Sequence, residues 1–335
     1  VTRIDPVGDG RRWDVTIRGS RGGEPRTLRY AAVVVANGHN WSPRWPEIEG
    51  LEDFRGQVLH ASAYSDAAQL RGRKVLVVGG GNTGCDIAVE AAQQATRCWH
   101  STRRGYWYAP KYALGRPTDQ ANDVMRWLRL PLSLRRWLFG RLLSATVGDF
   151  TRLGLRQPDH KLYETHPVVN SQLTYYVGHG AITPVPDVAR FTRNGVEFTD
   201  GSSAEPDLVV LATGYRPEFE FASPELLGID HDGKPRLRLQ LFSRTHPTLA
   251  VAGLIQPDSG MFSIVHWQTV MIARWLRLWE TVPERAAAIW ARHQGEPEQR
   301  FTRARVTDSS RHWFEIDHVV YLRALQRSLN ELEAA

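Results

Sequence analysis

Residues 74–92 read KVLVVGGGNTGCDIAVEAA, and this stretch decides the fold. Lys74–Val78 is a short apolar run that ends in glycine, the pattern of a strand buried on both faces of a sheet. Gly79-Gly80-Gly81-Asn82-Thr83-Gly84 follows at once and fits G-x-G-x-x-G. An Ile/Ala/Val-rich helical run opens directly behind it. Alone, the glycine pattern recurs by chance; between a strand and a helix it is the fingerprint of a dinucleotide-binding βαβ unit. The first glycine permits the tight turn, the second lets a pyrophosphate approach the backbone, and the third lets helix and strand pack closely. Free N–H groups and the positive end of the helix dipole then face the phosphates.

The end of the next strand selects the nucleotide. An NAD site places an acidic residue about 20 positions on, against the ribose 2′-hydroxyl. Here the segment reads CWHSTRRGYWYAPKY, and no acidic residue falls between Glu90 and Asp119. Ser101, Thr102, Arg103 and Arg104 stand where a 2′-phosphate falls. A guanidinium offers phosphate a planar fork of donors, and a neighbouring hydroxyl adds one more. NADPH rather than NADH is the expected ligand.

Outward from this unit, WDVTIRG (13–19) alternates like a half-buried strand between turn signals at Asp9-Gly10 and GSRGGEP. WSPRWPEIEG reads as an extended connector. GVEFTDGSSAEPDLVVLATGY (195–215) gives a hairpin and then a buried strand, and FSIVHWQTVMIARWLRLWETV a helix. Two apolar runs flank the glycine unit, VVVANGH (33–39) and LVVLATGY (208–215), and each ends in a small residue, a polar residue and glycine. They read as the places where the chain leaves one nucleotide-binding domain, builds a second and returns. The pattern is α/β, with parallel-type strands and short antiparallel pieces.

The net charge of +6 comes mostly from arginines spread along the chain, which suits an anionic cofactor; no nucleic-acid motif accompanies it. Cys85 and Cys98 form no CxxC pair, which argues against a disulfide reductase, and no Cys/His cluster has zinc spacing. There is no nucleophile elbow. No apolar run approaches the roughly 18 residues of a transmembrane helix. A reducing cytoplasm is the expected compartment.

Between the flanking runs lies FRGQVLHASAY (54–64), in which Phe54, Gly56, His60 and Tyr64 match F-x-G-x-x-x-H-x-x-x-Y. With this signature the chain resembles the flavin-containing monooxygenases, class B flavoproteins that use FAD and NADPH. The glycine turn with its Asn, STRRG, ATGY and GLIQPDSG resemble that family's order of motifs, from about Trp13 to about Trp275. The resemblance implies two Rossmann-like dinucleotide-binding domains, the NADP domain inserted into an FAD domain. The division it suggests is 1–72, 73–207 with a helical insertion at about 115–165, and 208–335. It implies that NADPH reduces FAD and that the reduced flavin takes up O₂ as a C4a-hydroperoxide. One oxygen then passes to an amine nitrogen or a sulfide, as in an N,N-dimethylaniline monooxygenase. By similarity Gly79, Gly81, Asn82, Thr83 and Gly84 hold the NADPH pyrophosphate. Ser101, Thr102, Arg103 and Arg104 hold its 2′-phosphate. Asn37, Gly38, Thr213, Gly214 and Gln256 line the FAD side, and Gly56 and His60 sit in the connector coupling the domains.

The family's own opening strand–turn–helix for FAD is not found in VTRIDPVGDG, where the chain begins. The expectation is therefore a fragment that binds NADPH better than FAD and does not turn over alone. Tyr64-Ser65 in place of Trp leans away from the Baeyer–Villiger branch, which acts on ketones. That branch and a non-enzymatic NADP-binding remnant stand as alternatives. MRWLRLPLSLRRWLFGRLLSATV (125–147) reads either as a helical insertion packing its apolar face or as a basic helix on a membrane surface, and Pro131 and Gly140 favour the first. His166 and Asn170 follow it, Asn170 as a candidate nicotinamide or substrate contact.

Overall fold

The computed structural model describes all residues except 114, 119, 121–127, 129, 163, 165, 166, 232, 302–313 and 335. His166 and part of the basic 125–147 stretch lie outside the described residues. The chain forms two compact units, one from Val1–His39 with Pro217–Ala335, the other from Asn40–Arg216.

The Asn40–Arg216 unit is built on a five-stranded parallel sheet. Its strands lie in the order Ile182–Val185, Arg97–Ser101, Lys74–Val78, Leu208–Leu211, Gln57–His60. From Lys74–Val78 the chain winds outward through Arg97–Ser101 to Ile182–Val185, then crosses to Leu208–Leu211 on the other side. The strand order therefore reverses between Lys74–Val78 and Leu208–Leu211, the crevice where doubly wound sheets bind ligands at the strands' carboxyl ends. Alternation divides the apolar runs between two cores. Val75, Val77, Leu208 and Val210 face the helix Asn82–Gln94 and the short helix Leu173–Gly178. Leu76, Val78, Val209 and Leu211 face Phe191, Val196 and Phe198 of an antiparallel three-stranded sheet. Each of these eight strand residues is nearly or fully buried, and such burial contributes about 1.5–3 kcal/mol per side chain.

The strand Leu208–Leu211 was expected to begin the return to the FAD domain. It belongs instead to the five-stranded sheet of the Asn40–Arg216 unit, and the division falls after Arg216 rather than after residue 207. Likewise the first crossing falls after His39 rather than after residue 72, because Gln57–His60 pairs with Leu208–Leu211 at the sheet edge. A fully apolar strand reads the same in either domain, so composition could not assign it.

In the Val1–His39 and Pro217–Ala335 unit, an antiparallel meander Arg3–Val7, Arg12–Ile17, Arg26–Tyr30 turns at Asp9-Gly10 as read. Trp13 is fully buried and donates from Nε1 to Thr248 Oγ1 at 2.9 Å. Val33–Val35 pairs in parallel with Leu249–Val251 on one edge only among the described residues. Val34 is 44% exposed, so this apolar run is not covered on both faces by the described residues. The helices Met261–Thr281, Pro283–Gln294 and His318–Ala334 enclose a separate core.

Leu239 and Gln240 both take positive φ, 54° and 48°, in the turn closed by Leu241 N–H donating to Arg238 O at 3.0 Å. This is the conformation usually given to Asn-Gly, and it costs side-chain-bearing residues about 1–2 kcal/mol each. Burial of Leu239 and a 2.6 Å hydrogen bond from the Tyr321 hydroxyl to its carbonyl offset that strain.

The helix Leu132–Thr146 buries only Phe139 and Leu143. Leu132, Leu134, Trp137 and Leu138 are exposed, so the apolar packing expected of this insertion is confined to one narrow stripe.

Candidate nucleotide site

The glycine turn closes the crevice where the strand order reverses. Gly79 has φ 129°, and a Cβ there would lie 2.2 Å from Ala212 O, the residue just beyond Leu208–Leu211. A Cβ on Gly84 would lie 1.9 Å from Gly79 O, so helix and turn touch backbone to backbone. Gly80 is backed by the Tyr106 ring, 2.2 Å from its own Cβ position. Gly81 differs from these three. It has an ordinary backbone and nothing within 4 Å of its Cβ position. It is also the N-cap of Asn82–Gln94 and offers no side-chain acceptor to the first-turn N–H groups. With no acidic residue in that turn, the donors and the helix dipole stand uncompensated before open space, which fits a bound phosphate.

Asn82 has a second task. Its Oδ1 accepts from Val169 N–H at 3.0 Å and holds the strand Val168–Val169 beside the turn. Asn170 is 5% exposed. It donates to Asp86 Oδ1 and accepts from the N–H groups of Gln172 and Leu173. These bonds make it a buried brace and start the helix Leu173–Gly178, with Oδ1 and one of the two amide N–H donors committed to the fold.

Ser101 and Thr102 are buried at the end of the second strand. The single hydroxyl proton of Ser101 goes to Pro186 O at 2.7 Å. A phosphate only accepts, so Ser101 cannot donate to one in this arrangement, and it leaves the expected 2′-phosphate set. Arg103 is exposed, and Arg104 is half-buried with its guanidinium 5.4 Å from the Tyr106 ring centre. A third arginine joins them. Arg156 donates from Nη1 to Arg103 O at 2.9 Å. Its segment lies so close that a Cβ on Gly105 would be 2.0 Å from Gln157 O. Sequence reading had no signal for Arg156, a single basic residue in a loop some fifty positions away.

His60 is 1% exposed and fully engaged. Nδ1 accepts from Ser62 N–H at 3.1 Å, so the proton sits on Nε2, which donates to Gly214 O at 3.1 Å. Arg44 N–H donates to the same carbonyl, and Thr213 Oγ1 donates to Arg44 O at 2.6 Å. The rings of Trp45 and Tyr215 flank the imidazole. His60, Thr213 and Gly214 thus form one network that fixes the turn after Leu208–Leu211. Gly56 sits in the same connector, its Cβ position 2.4 Å from the Phe54 ring and 3.1 Å from Asp207 O.

His100, beneath the turn, makes a 2.9 Å hydrogen bond between Nε2 and Gly79 O. Since the carbonyl can only accept, Nε2 carries the proton. Burial pushes both His60 and His100 below the ordinary 6.5, more than their backbone hydrogen bonds raise them. Below pH 6.5 the unfolded chain takes up protons that the native one refuses, so stability rises with pH in the window beneath 6.5 and is lost on acidification. The thermal midpoint is expected to fall between about pH 7 and pH 5, and His100→Gln should flatten that slope.

In the other unit, Asn37 Nδ2 donates to Glu218 O at 2.8 Å. Gly38 has φ 74° with open space at its Cβ position. Gln256 lies in the short strand Gln256–Pro257, paired with Glu315–Ile316. Of the five FAD-side candidates, Asn37, Gly38 and Gln256 belong to this unit, and Thr213 and Gly214 to the Asn40–Arg216 unit.

A family model described as flavin-binding monooxygenase-like matches residues 1–332. The chain belongs to this family. Dimethylaniline monooxygenase (N-oxide-forming) 2 of Rattus norvegicus is 34% identical over 275 residues, covering 79% of the chain and 50% of the relative. Flavin-containing monooxygenase 5 of Cavia porcellus is 30% identical, covering 92% of the chain and 58% of the relative. The chain therefore spans about half the length of the curated relatives it matches.

Among solved structures, an oxidized steroid monooxygenase bound to NADP aligns with a TM-score of 0.65 at 18% identity, covering 98% of this chain and 78% of the other. The S-allyl-L-cysteine S-oxygenase of Allium sativum aligns with a TM-score of 0.59 at 20% identity, covering 98% and 60%. At these identities the likeness carries the fold alone, the two-domain α/β architecture of this flavin-binding family. No helix among the described residues is long and apolar enough to cross a membrane, and no cluster among them could hold a metal ion.

Proposed function

We propose that this family member binds NADPH and FAD and serves a monooxygenase reaction that places one oxygen of O₂ on a soft nucleophile, an amine nitrogen or a sulfide sulfur. The balance is NADPH, a proton, O₂ and substrate giving NADP⁺, water and the N- or S-oxide. The observation that carries the reading is the open space before Gly81 at the uncapped start of Asn82–Gln94, at the point where the strand order reverses.

When bound, NADPH supplies the hydride and FAD the oxygen chemistry. The chain's own residues bind and orient. Gly81 admits the pyrophosphate to the backbone, and the N–H groups of Asn82, Thr83 and Gly84 receive it. Gly79 and Gly84 hold the turn against Ala212. Arg103, Arg104 and Arg156 converge on the 2′-phosphate, with Thr102 alongside. Asn37, Gly38, Thr213, Gly214 and Gln256 are the proposed FAD contacts. His60 is a positioning residue, since both ring nitrogens are committed and neither is left to move a proton. Cys85 and Cys98 are buried free thiols, consistent with the reducing cytoplasm proposed as the compartment.

The test is titration of the chain with NADPH and with NADH, followed by product analysis with a tertiary amine, a sulfide and a ketone in the FAD-loaded protein. NADPH binding with N- or S-oxide formation supports the reading. Ester or lactone from the ketone alone would replace it with the Baeyer–Villiger reaction, and no preference for NADPH would remove it.

A further inference from the structure

The helical end of the Val1–His39 and Pro217–Ala335 unit holds a cavity of 460 Å³ that the proposed chemistry does not use. Arg238 enters it from the strained turn at Leu239-Gln240, with a side chain only 9% exposed. Its Nε has no hydrogen-bond partner among the described residues. The nearest carboxylate oxygen, Glu296 Oε2, is 3.5 Å away, well beyond the 2.7–2.9 Å of a charge-assisted bond. Glu296 spends its other oxygen on His293, whose Nδ1 donates to Oε1 at 2.6 Å. The buried His293 Nε2 is 3.4 Å from Glu331 and likewise makes no hydrogen bond. Three buried polar atoms, Arg238 Nε, His293 Nε2 and Glu296 Oε2, thus belong to side chains lining one cavity and lack a hydrogen bond. Native interiors rarely leave such atoms without a partner; His293 Nε2 and Glu296 Oε2 are acceptors, and the N–H of Arg238 Nε is the buried donor that an incoming anion would satisfy.

The charge around the cavity says what kind of group that is. Glu331 is engaged at 2.9 Å by Arg292. Glu296 is then the one lining carboxylate left to oppose Arg238, Arg300 and Arg327. Neither Arg300 nor Arg327 pairs with a carboxylate among the described residues, and both are exposed at this opening. A water molecule claims about 30 Å³ and would leave the excess positive charge uncompensated. Leu239 and Phe301 supply apolar wall beside the guanidinium groups.

We propose that this cavity is a second binding site, for the phosphate or carboxylate group of a small anionic molecule. Arg238 is its buried anchor, and Arg300 and Arg327 close on the anion from the mouth. The site is independent of the nucleotide crevice, since every residue in it belongs to the other unit.

The experiment is calorimetric titration with inorganic phosphate and, separately, with benzoate, at constant ionic strength in chloride. It uses a chain carrying Arg103→Ala and Arg104→Ala, so that the nucleotide site takes up no phosphate. One-to-one binding of either anion is expected, weakened about tenfold or more by Arg300→Ala with Arg327→Ala. Both of those positions are exposed, so the double variant keeps its fold; Arg238→Lys, which could disturb packing, is read only beside it. Uptake of phosphate but not benzoate assigns a phosphoester ligand, and preference for benzoate assigns an organic carboxylate. No binding of either anion, or binding that the double variant leaves unchanged, overturns the proposal.

Discussion

Gly84→Ala is expected to lower the thermal midpoint by about 6–12 °C, whereas Gly81→Ala leaves the midpoint unchanged and weakens NADPH about thirtyfold. The two glycines sit three residues apart in one motif and do different work. A methyl at Gly84 would stand 1.9 Å from Gly79 O, a backbone atom that cannot swing aside. Relief requires the helix Asn82–Gln94 to shift from Lys74–Val78, and overpacking of that kind costs about 3 kcal/mol. At Gly81 the same methyl meets nothing within 4 Å. It occupies only the space through which a phosphate reaches the backbone, so the fold is spared and the ligand suffers. Calorimetric unfolding and NADPH titration of both variants separate these effects. If Gly81→Ala binds NADPH as the unaltered chain does, the pyrophosphate does not lie against this turn.

The second large effect concerns the adenosine 2′-phosphate. Arg103→Ala with Arg104→Ala is expected to raise the NADPH dissociation constant about a hundredfold while leaving NADH unchanged. Charge-assisted bonds to phosphate contribute about 1.5–3 kcal/mol, and 1.4 kcal/mol is a factor of ten. Arg156→Ala should cost about three- to tenfold, again with NADPH only. Arg104→Lys should not restore affinity, since lysine lacks both the planar fork and the face that lies over Tyr106. A parallel loss of NADH affinity in any of these variants would mean that the arginines support the fold of the turn and do not read the phosphate.

The strand, glycine turn and helix at 74–94 were legible because period and punctuation agree there: four consecutive apolar residues, a glycine run, then helical spacing. The hairpin at Asp9-Gly10 and the helix Met261–Thr281 were legible for the same reason. Leu208–Leu211 was recognised as a buried strand but given to the wrong unit. Its neighbours lie some 130 and 150 positions earlier, and no local property of LVVL records which sheet receives it. The glycines and the two adjacent arginines of the proposed site were singled out from sequence by type and spacing. Ser101 misled because its hydroxyl has the right chemistry, and only its bond to Pro186 shows that the proton is already spent. Arg156 and the cluster around Arg238 depend on loops and helix ends meeting in space, which single-chain periodicity does not encode.

The Val1–His39 and Pro217–Ala335 unit takes its strands from both sides of Asn40–Arg216, which sets a timetable during synthesis. Val33–Val35 leaves the ribosome long before its partner Leu249–Val251 exists. At about 5–20 residues per second, the intervening unit occupies on the order of ten to thirty seconds. Throughout that interval an apolar strand edge stands open to other nascent chains. The five-stranded sheet meets the same delay, because Leu208–Leu211, which lies between Lys74–Val78 and Gln57–His60, is the last of its strands to be made. The order of translation therefore keeps an edge in each sheet without its native partner until residues 208–251 emerge.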